Sequence, residues 1–197
     1  MTKHRLEAFS DGVLAILITI MVLELHVPHG TDLHALAAAV PSLLLYSLSF
    51  AFLGIYWNNH HHMLYASERI DGSVLWANLH LLFWLSLVPF ATEWVGANGA
   101  ARIPTATYGV VLLLAAGAYT MLQARLLRLQ RPDSPLRAAV RRDVKGKASI
   151  LLYALATVAA FVQPWIADAL FVIVALMWLV PDPRIERRVA ARARPSS

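Results

Sequence analysis

The chain has 197 residues, 58% of them hydrophobic and 15% charged, with a formal net charge of +5 and no cysteine. Soluble domains carry roughly 25% charged residues, so this composition excludes an ordinary soluble domain and points to lipid as the solvent. The missing cysteine removes disulfides and thiolate metal sites. The positive charge sits in blocks between apolar runs, which argues against nucleic acid as its partner.

A helix that crosses a bilayer needs about 20 predominantly apolar residues, and six segments qualify. The first runs from Leu6 to Leu25 and ends at Pro28 and Gly30. Lys3 and Arg5 ahead of an apolar run mimic a signal peptide, but no small-x-small cleavage pattern follows Leu25, so this helix is expected to be retained. The second runs from Leu33 to about Tyr65, with Pro41 as a first-turn proline or a kink. The third covers Ser73 to Val95, closed by Gly96 and Gly99, and the fourth runs from Thr105 to Leu127, opened by Pro104. The fifth spans Ala148 to Val162 and the sixth Ile166 to Val180, the latter stopped by Pro181 and Pro183. Only Gln163-Pro164-Trp165 separates these two, which predicts a tight hairpin, with one long bent helix as the alternative. Residues 1–197 are thus expected to form a single all-α integral membrane domain of six transmembrane helices.

With both termini on the cytoplasmic side, 16 of the 17 lysines and arginines fall inside and only Arg102 falls outside, the bias expected of cytoplasmic loops. The outer connections carry Asp32, Glu93 and Asp168. A basic cytoplasmic connector covers about residues 128–147, and a basic tail covers residues 184–197. The charge of the connector fits topology and contact with anionic lipid. Most of the tryptophans sit near span ends, as an aromatic belt does.

Within the first helix, at 100° per residue, Gly12, Ile16, Thr19 and Leu23 lie within about 40° of one another. Such a stripe of small, branched and hydroxyl side chains suits a narrow, hydrophobically gated pore, or equally close helix packing in lipid. Asp11 falls on a second stripe roughly 100° away and points toward neighbouring helices. An ionisable residue inside a span faces protein or water and is a candidate functional residue. Near the cytoplasmic end of the second helix stands Trp57-Asn58-Asn59-His60-His61-His62. Consecutive histidines on a helix diverge by about 100°, and no i, i+4 pair exists, so a metal or haem would need further ligands such as His80. The same topology brings Arg5, Ser10, Asp11, Trp57, His60 and Asn78 to one depth, where buried polar groups have to satisfy one another. There is no Gly-rich phosphate loop, HExxH or GxSxG motif, and no TVGYG filter.

Arg5-x-x-x-Phe9-Ser10-Asp11 resembles the R-x-x-x-F-S-D signature of the transmembrane protein 175 family. The stretch Trp57…His60-His61, Asn78 and the Pro89-Phe90 region are also similar to the family pattern. These are potassium channels of endosomes and lysosomes in animals, with short six-helix relatives in bacteria and archaea. The resemblance implies a homotetramer in a prokaryotic plasma membrane, with potassium as the permeant ion, no cofactor and no enzymatic activity. It also implies that the first helix lines the pore, with the hydrophobic constriction at Ile16 and with Thr19 and Leu23 on the same face. Arg5, Phe9, Ser10 and Asp11, with Trp57, His60, His61 and Asn78, become the network that fixes the helices near the cytoplasmic side. A proton-coupled transporter or proton path through Asp11 and His60, His61 and His62 is the competing reading.

Overall fold

A computed structural model of the protein describes residues 2–134, 136–137 and 143–179. The tail at 184–197, the stop at Pro181 and Pro183, and residues 135 and 138–142 of the connector lie outside the described residues.

Among the described residues the chain is all-helical. It comprises α1 (Lys3–Ile20), α2 (Leu33–Tyr65), α3 (Gly72–Ser86), α4 (Val88–Ala97), α5 (Arg102–Leu129), α6 (Val144–Val162) and α7 (Pro164–Leu179). A tighter 3-10 turn, Met21–Glu24, extends α1. Five stretches are long and apolar enough to cross a membrane, counting α3 and α4 as one. The remaining apolar helix, α7, has 16 described residues, about 24 Å at 1.5 Å per residue, against a hydrocarbon core of about 30 Å.

Three helices begin where an aspartate accepts an otherwise unpaired backbone N–H. Asp32 takes that of Ala35 at 2.8 Å, Asp71 that of Val74 at 3.0 Å and Asp143 that of Gly146 at 2.8 Å. Pro41 lies in the third turn of α2, which continues through it to Tyr65. The third predicted span is broken at Leu87, because Pro89 has no N–H to continue the ladder and therefore opens a new helix. Gly99 (φ +59°) and Ala100 (φ +58°) then turn the chain through the left-handed region into α5. Gln163 is extended (φ −145°, ψ 106°), and α6 and α7 pack along each other on either side of it, so the predicted hairpin forms.

Helix α5 is the centre of the molecule, packing on α3, α4, α6 and α7. Its closest approach is at Gly109, where an added Cβ would lie 2.5 Å from Thr157 Oγ1 and 3.2 Å from the Phe171 ring. Close backbone approach at small residues is how helices gain packing energy where lipid is already apolar. In the same layer Tyr108, Phe171 and Tyr153 form a ring cluster, with the Tyr108 and Phe171 centroids 5.2 Å apart. Three buried hydroxyls join α2, α4 and α5 here, since Tyr108 Oη and Thr92 Oγ1 each lie 2.8 Å from Ser49 Oγ.

Helices α1 and α2 lie at the periphery. Only 22% and 17% of their apolar stretches are buried, against 50% for the α3–α4 span. The inward face of α1 is Leu6, Ser10, Leu14 and Leu17, followed by Met21 of the 3-10 turn. Its other face is left open.

Candidate pore helix and its polar clasp

Side chains at i and i+4 share one face of a helix, so Leu6, Ser10 and Leu14 of α1 point inward together. Ser10 is therefore a hydroxyl set among leucines, fully buried, and it needs partners. It donates to the Leu6 carbonyl at 2.9 Å and accepts from Asn78 Nδ2 at 2.9 Å. The Asn78 carbonyl oxygen lies 2.6 Å from His60 Nε2. Since Asn78 Nδ2 faces Ser10, its oxygen faces His60 and only accepts, so His60 carries its proton on Nε2. Ser10, Asn78 and His60 come from three helices, and none is more than 1% exposed.

A second contact flanks this one. Trp57 Nε1 donates to Asp11 Oδ1 at 3.0 Å, so the carboxylate points sideways from α1 toward α2. Lys3 Nζ donates to the Tyr65 carbonyl at 2.9 Å and sits 3.7 Å from Glu7, tying the start of α1 to the end of α2. Sequence reasoning missed this use of Lys3, because a backbone carbonyl at a helix end leaves no residue-type signal.

The remaining residues of the predicted network lie outside this hydrogen-bonded core. His61 is exposed and stacks between Trp57 and Tyr65, with ring centroids 6.0 and 6.4 Å away. His62 meets it edge-on. One turn of helix separates the three rings of that column, while His60 is rotated by about 100° into the core. Arg5 is exposed at the start of α1, and Phe9 is 47% exposed. His80 accepts from Trp84 Nε1 at 2.8 Å on an exposed face of α3, away from the triplet. Among the described residues, no three His, Asp or Glu side chains are placed to hold a metal ion.

The open face of α1 carries Ile16, 62% exposed, Thr19 and Leu23, 78% exposed. Thr19 Oγ1 donates back to the carbonyls of Ala15 and Ile16 at 2.9 and 3.1 Å, so its own proton is satisfied within the helix. Leu23 belongs to the 3-10 turn. Winding at about 120° per residue instead of 100° moves it off the line of Thr19 and closer to that of Ile20. The face is thus a broad apolar surface bearing one hydroxyl.

Comparison with known proteins shows the family. Residues 5–89, the part that contains the clasp and the open face, match the family described as endosomal/lysosomal potassium channel TMEM175. A protein of Chryseobacterium sp. (strain P1-3) named as a potassium channel is 52% identical over 187 residues, covering 95% of this chain and 97% of its own. One from Streptomyces collinus, also named as a potassium channel, is 33% identical over 200 residues, covering 95% and 96%. The crystal structure of a lysosomal potassium-selective channel TMEM175 homolog from Chamaesiphon minutus superposes with a TM-score of 0.74 at 28% identity, covering 90% of this chain and 96% of that one. The chain belongs to the TMEM175 family, a family of membrane channels and not of enzymes.

Proposed function

We propose that the chain is one subunit of a homotetrameric, potassium-preferring cation channel of the prokaryotic plasma membrane. Four copies of α1 surround an axial pore that is narrowed at Ile16 and Leu23, with Thr19 beside them. The observation that carries this reading is the division of α1 into two faces. One face is buried and hydrogen-bonded to the subunit body through Ser10, while the other, with Ile16, Thr19 and Leu23, stands open. An aliphatic ring gates by dewetting, and aliphatic rings with at most a hydroxyl ring cannot replace a hydration shell as carbonyl rings do. Selectivity for potassium over sodium is accordingly modest.

Both termini face the cytoplasm in this reading. Every described lysine and arginine except Arg102 belongs to the end of the bundle that holds the start of α1, as the positive-inside bias requires. The permeant ion is the only small molecule the function needs, and the surface has no role toward nucleic acid.

Flux of potassium and sodium from liposomes containing the purified protein tests the pore. Ile16→Asn, which hydrates the constriction, is expected to raise cation flux, and Leu23→Ala is expected to widen the outer narrowing. If the protein passes no cation-selective current and neither substitution alters flux, the assignment is wrong. A detergent-corrected mass of four times 21.8 kDa is the expected result for the assembly, since one such subunit has too few helices to enclose a symmetric pore.

A further inference from the structure

We propose that the end of the molecule where α5, α6 and α7 meet binds anionic phospholipid headgroups, through Arg128, Arg131 and Lys147 beside the Lys145–Trp178 pair. This requires only that the chain spans a membrane, so it stands or falls separately from the pore.

The geometry is that of a step. The N-terminal half of α5 meets the C-terminal half of α6 at Gly109 and Thr157, so the two helices run antiparallel. Counting from that contact, Val144 at the start of α6 lies level with about Leu122 of α5. With 28 residues, α5 is about 42 Å long, against about 30 Å of hydrocarbon. Its last two turns, with Arg125 and Arg128, therefore overhang the start of α6 by about 10 Å, a height comparable to the headgroup region. Trp178 marks the foot of the step. Its indole N–H donates to Ser149 Oγ at 2.8 Å and Lys145 Nζ lies over its ring at 5.8 Å, the amphipathic arrangement typical of an interfacial tryptophan.

Asp71 and Asp143 are occupied at helix starts, accepting from Val74 and Gly146. Arg128, Arg131 and Lys147 are exposed, and the two arginines form no ion pair among the described residues. Arginine and lysine at this height meet phosphate oxygens as charge-assisted hydrogen-bond donors. Each cation near an anionic bilayer surface strengthens attachment by about fivefold.

The test titrates the full chain, purified in a non-ionic detergent, with phosphatidylglycerol or phosphatidylcholine and counts bound lipid by native mass spectrometry. Phosphatidylglycerol is expected to bind about tenfold or more tightly than phosphatidylcholine, with the difference shrinking as salt is raised. The triple variant R128Q/R131Q/K147Q is expected to lose most of that preference, while Arg102→Gln at the opposite end keeps it. Equal binding of the two lipids overturns the proposal, as does an unchanged preference in the triple variant. Displacement by millimolar inorganic phosphate also overturns it, by showing a soluble-anion site. Should the triple variant fail to fold, the three single variants are measured instead. A loss of severalfold in at least two supports the site, and no loss in any overturns it.

Discussion

Ser10 and Asn78 stand 68 positions apart in the chain and 2.9 Å apart in space, both fully buried. Asn78 also satisfies His60, so one amide joins three helices. Asn78→Leu keeps the approximate volume but leaves the His60 Nε2–H without a partner, while Ser10 loses one donor and keeps its bond to the Leu6 carbonyl; a buried orphan costs about 1–3 kcal/mol. A clear fall in melting temperature in detergent is expected, whereas Thr120→Val, on a hydroxyl bonded within its own helix, should change little. An unaltered melting temperature for Asn78→Leu would mean that these bonds do not hold the helices.

At Asp11 the outcome should depend on whether an acceptor survives. The amide introduced by Asp11→Asn still presents a carbonyl oxygen to Trp57 Nε1, which lies 3.0 Å from the present carboxylate. That variant is therefore expected to fold and to carry flux. Asp11→Leu leaves the indole N–H unpaired and is expected to lose about 1–2 kcal/mol. Size-exclusion profiles and liposome flux of the two variants together check this. Abolished flux in a well-folded Asp11→Asn protein would instead favour the proton-relay reading.

The contact at Gly109 is tight enough to be tested by its partner. Gly109→Ala sets a methyl 2.5 Å from Thr157 Oγ1, so the helices must separate, at about 1–3 kcal/mol. Adding Thr157→Ala removes the clashing oxygen and should recover part of the loss. A double-mutant cycle on thermal stability measures the coupling, and strict additivity would show that the two positions do not touch.

Asp71, in the connection before α3, gives a pH dependence whose sign is fixed. The Ser73 hydroxyl at 2.7 Å, and then the Val74 N–H, hold its carboxyl below the usual carboxylate range. Because the folded value lies below the unfolded one, the stabilisation is complete above about pH 4 and is lost as pH falls through the folded value. The melting difference between the native protein and Asp71→Ala should therefore be steady near neutrality and should shrink in acid. A difference that grows on acidification would contradict the cap.

Several elements are readable from residue type alone, because lipid imposes simple rules. Spans from Leu33 to Tyr65 and from Ala148 to Val162 follow from apolar length, and the hairpin follows from Pro164. The coming together of Ser10, Asn78 and His60 follows from topology, since polar residues at one depth have only each other. The break at Leu87 is less legible, because Pro89 sits in an apolar run whose composition is otherwise that of one helix. His61 looks equivalent to His60 in the sequence, yet a rotation of about 100° sends the two rings into different surroundings. The hydroxyl cluster of Ser49, Thr92 and Tyr108 leaves no spacing signal, since its members lie on three helices and each looks like an ordinary packing residue.

The direction of the bonds through Asn78 carries a last consequence. His60 Nε2–H points at the amide oxygen, the amide N–H at Ser10, and the Ser10 hydroxyl at the Leu6 carbonyl. Hydroxyls and imidazoles can take a proton on one side and release it on the other, but an amide is too weak a base and too weak an acid to do so. Asn78 therefore acts as an insulator set between His60 and α1. It couples the two mechanically, and the amide itself relays no proton from one to the other.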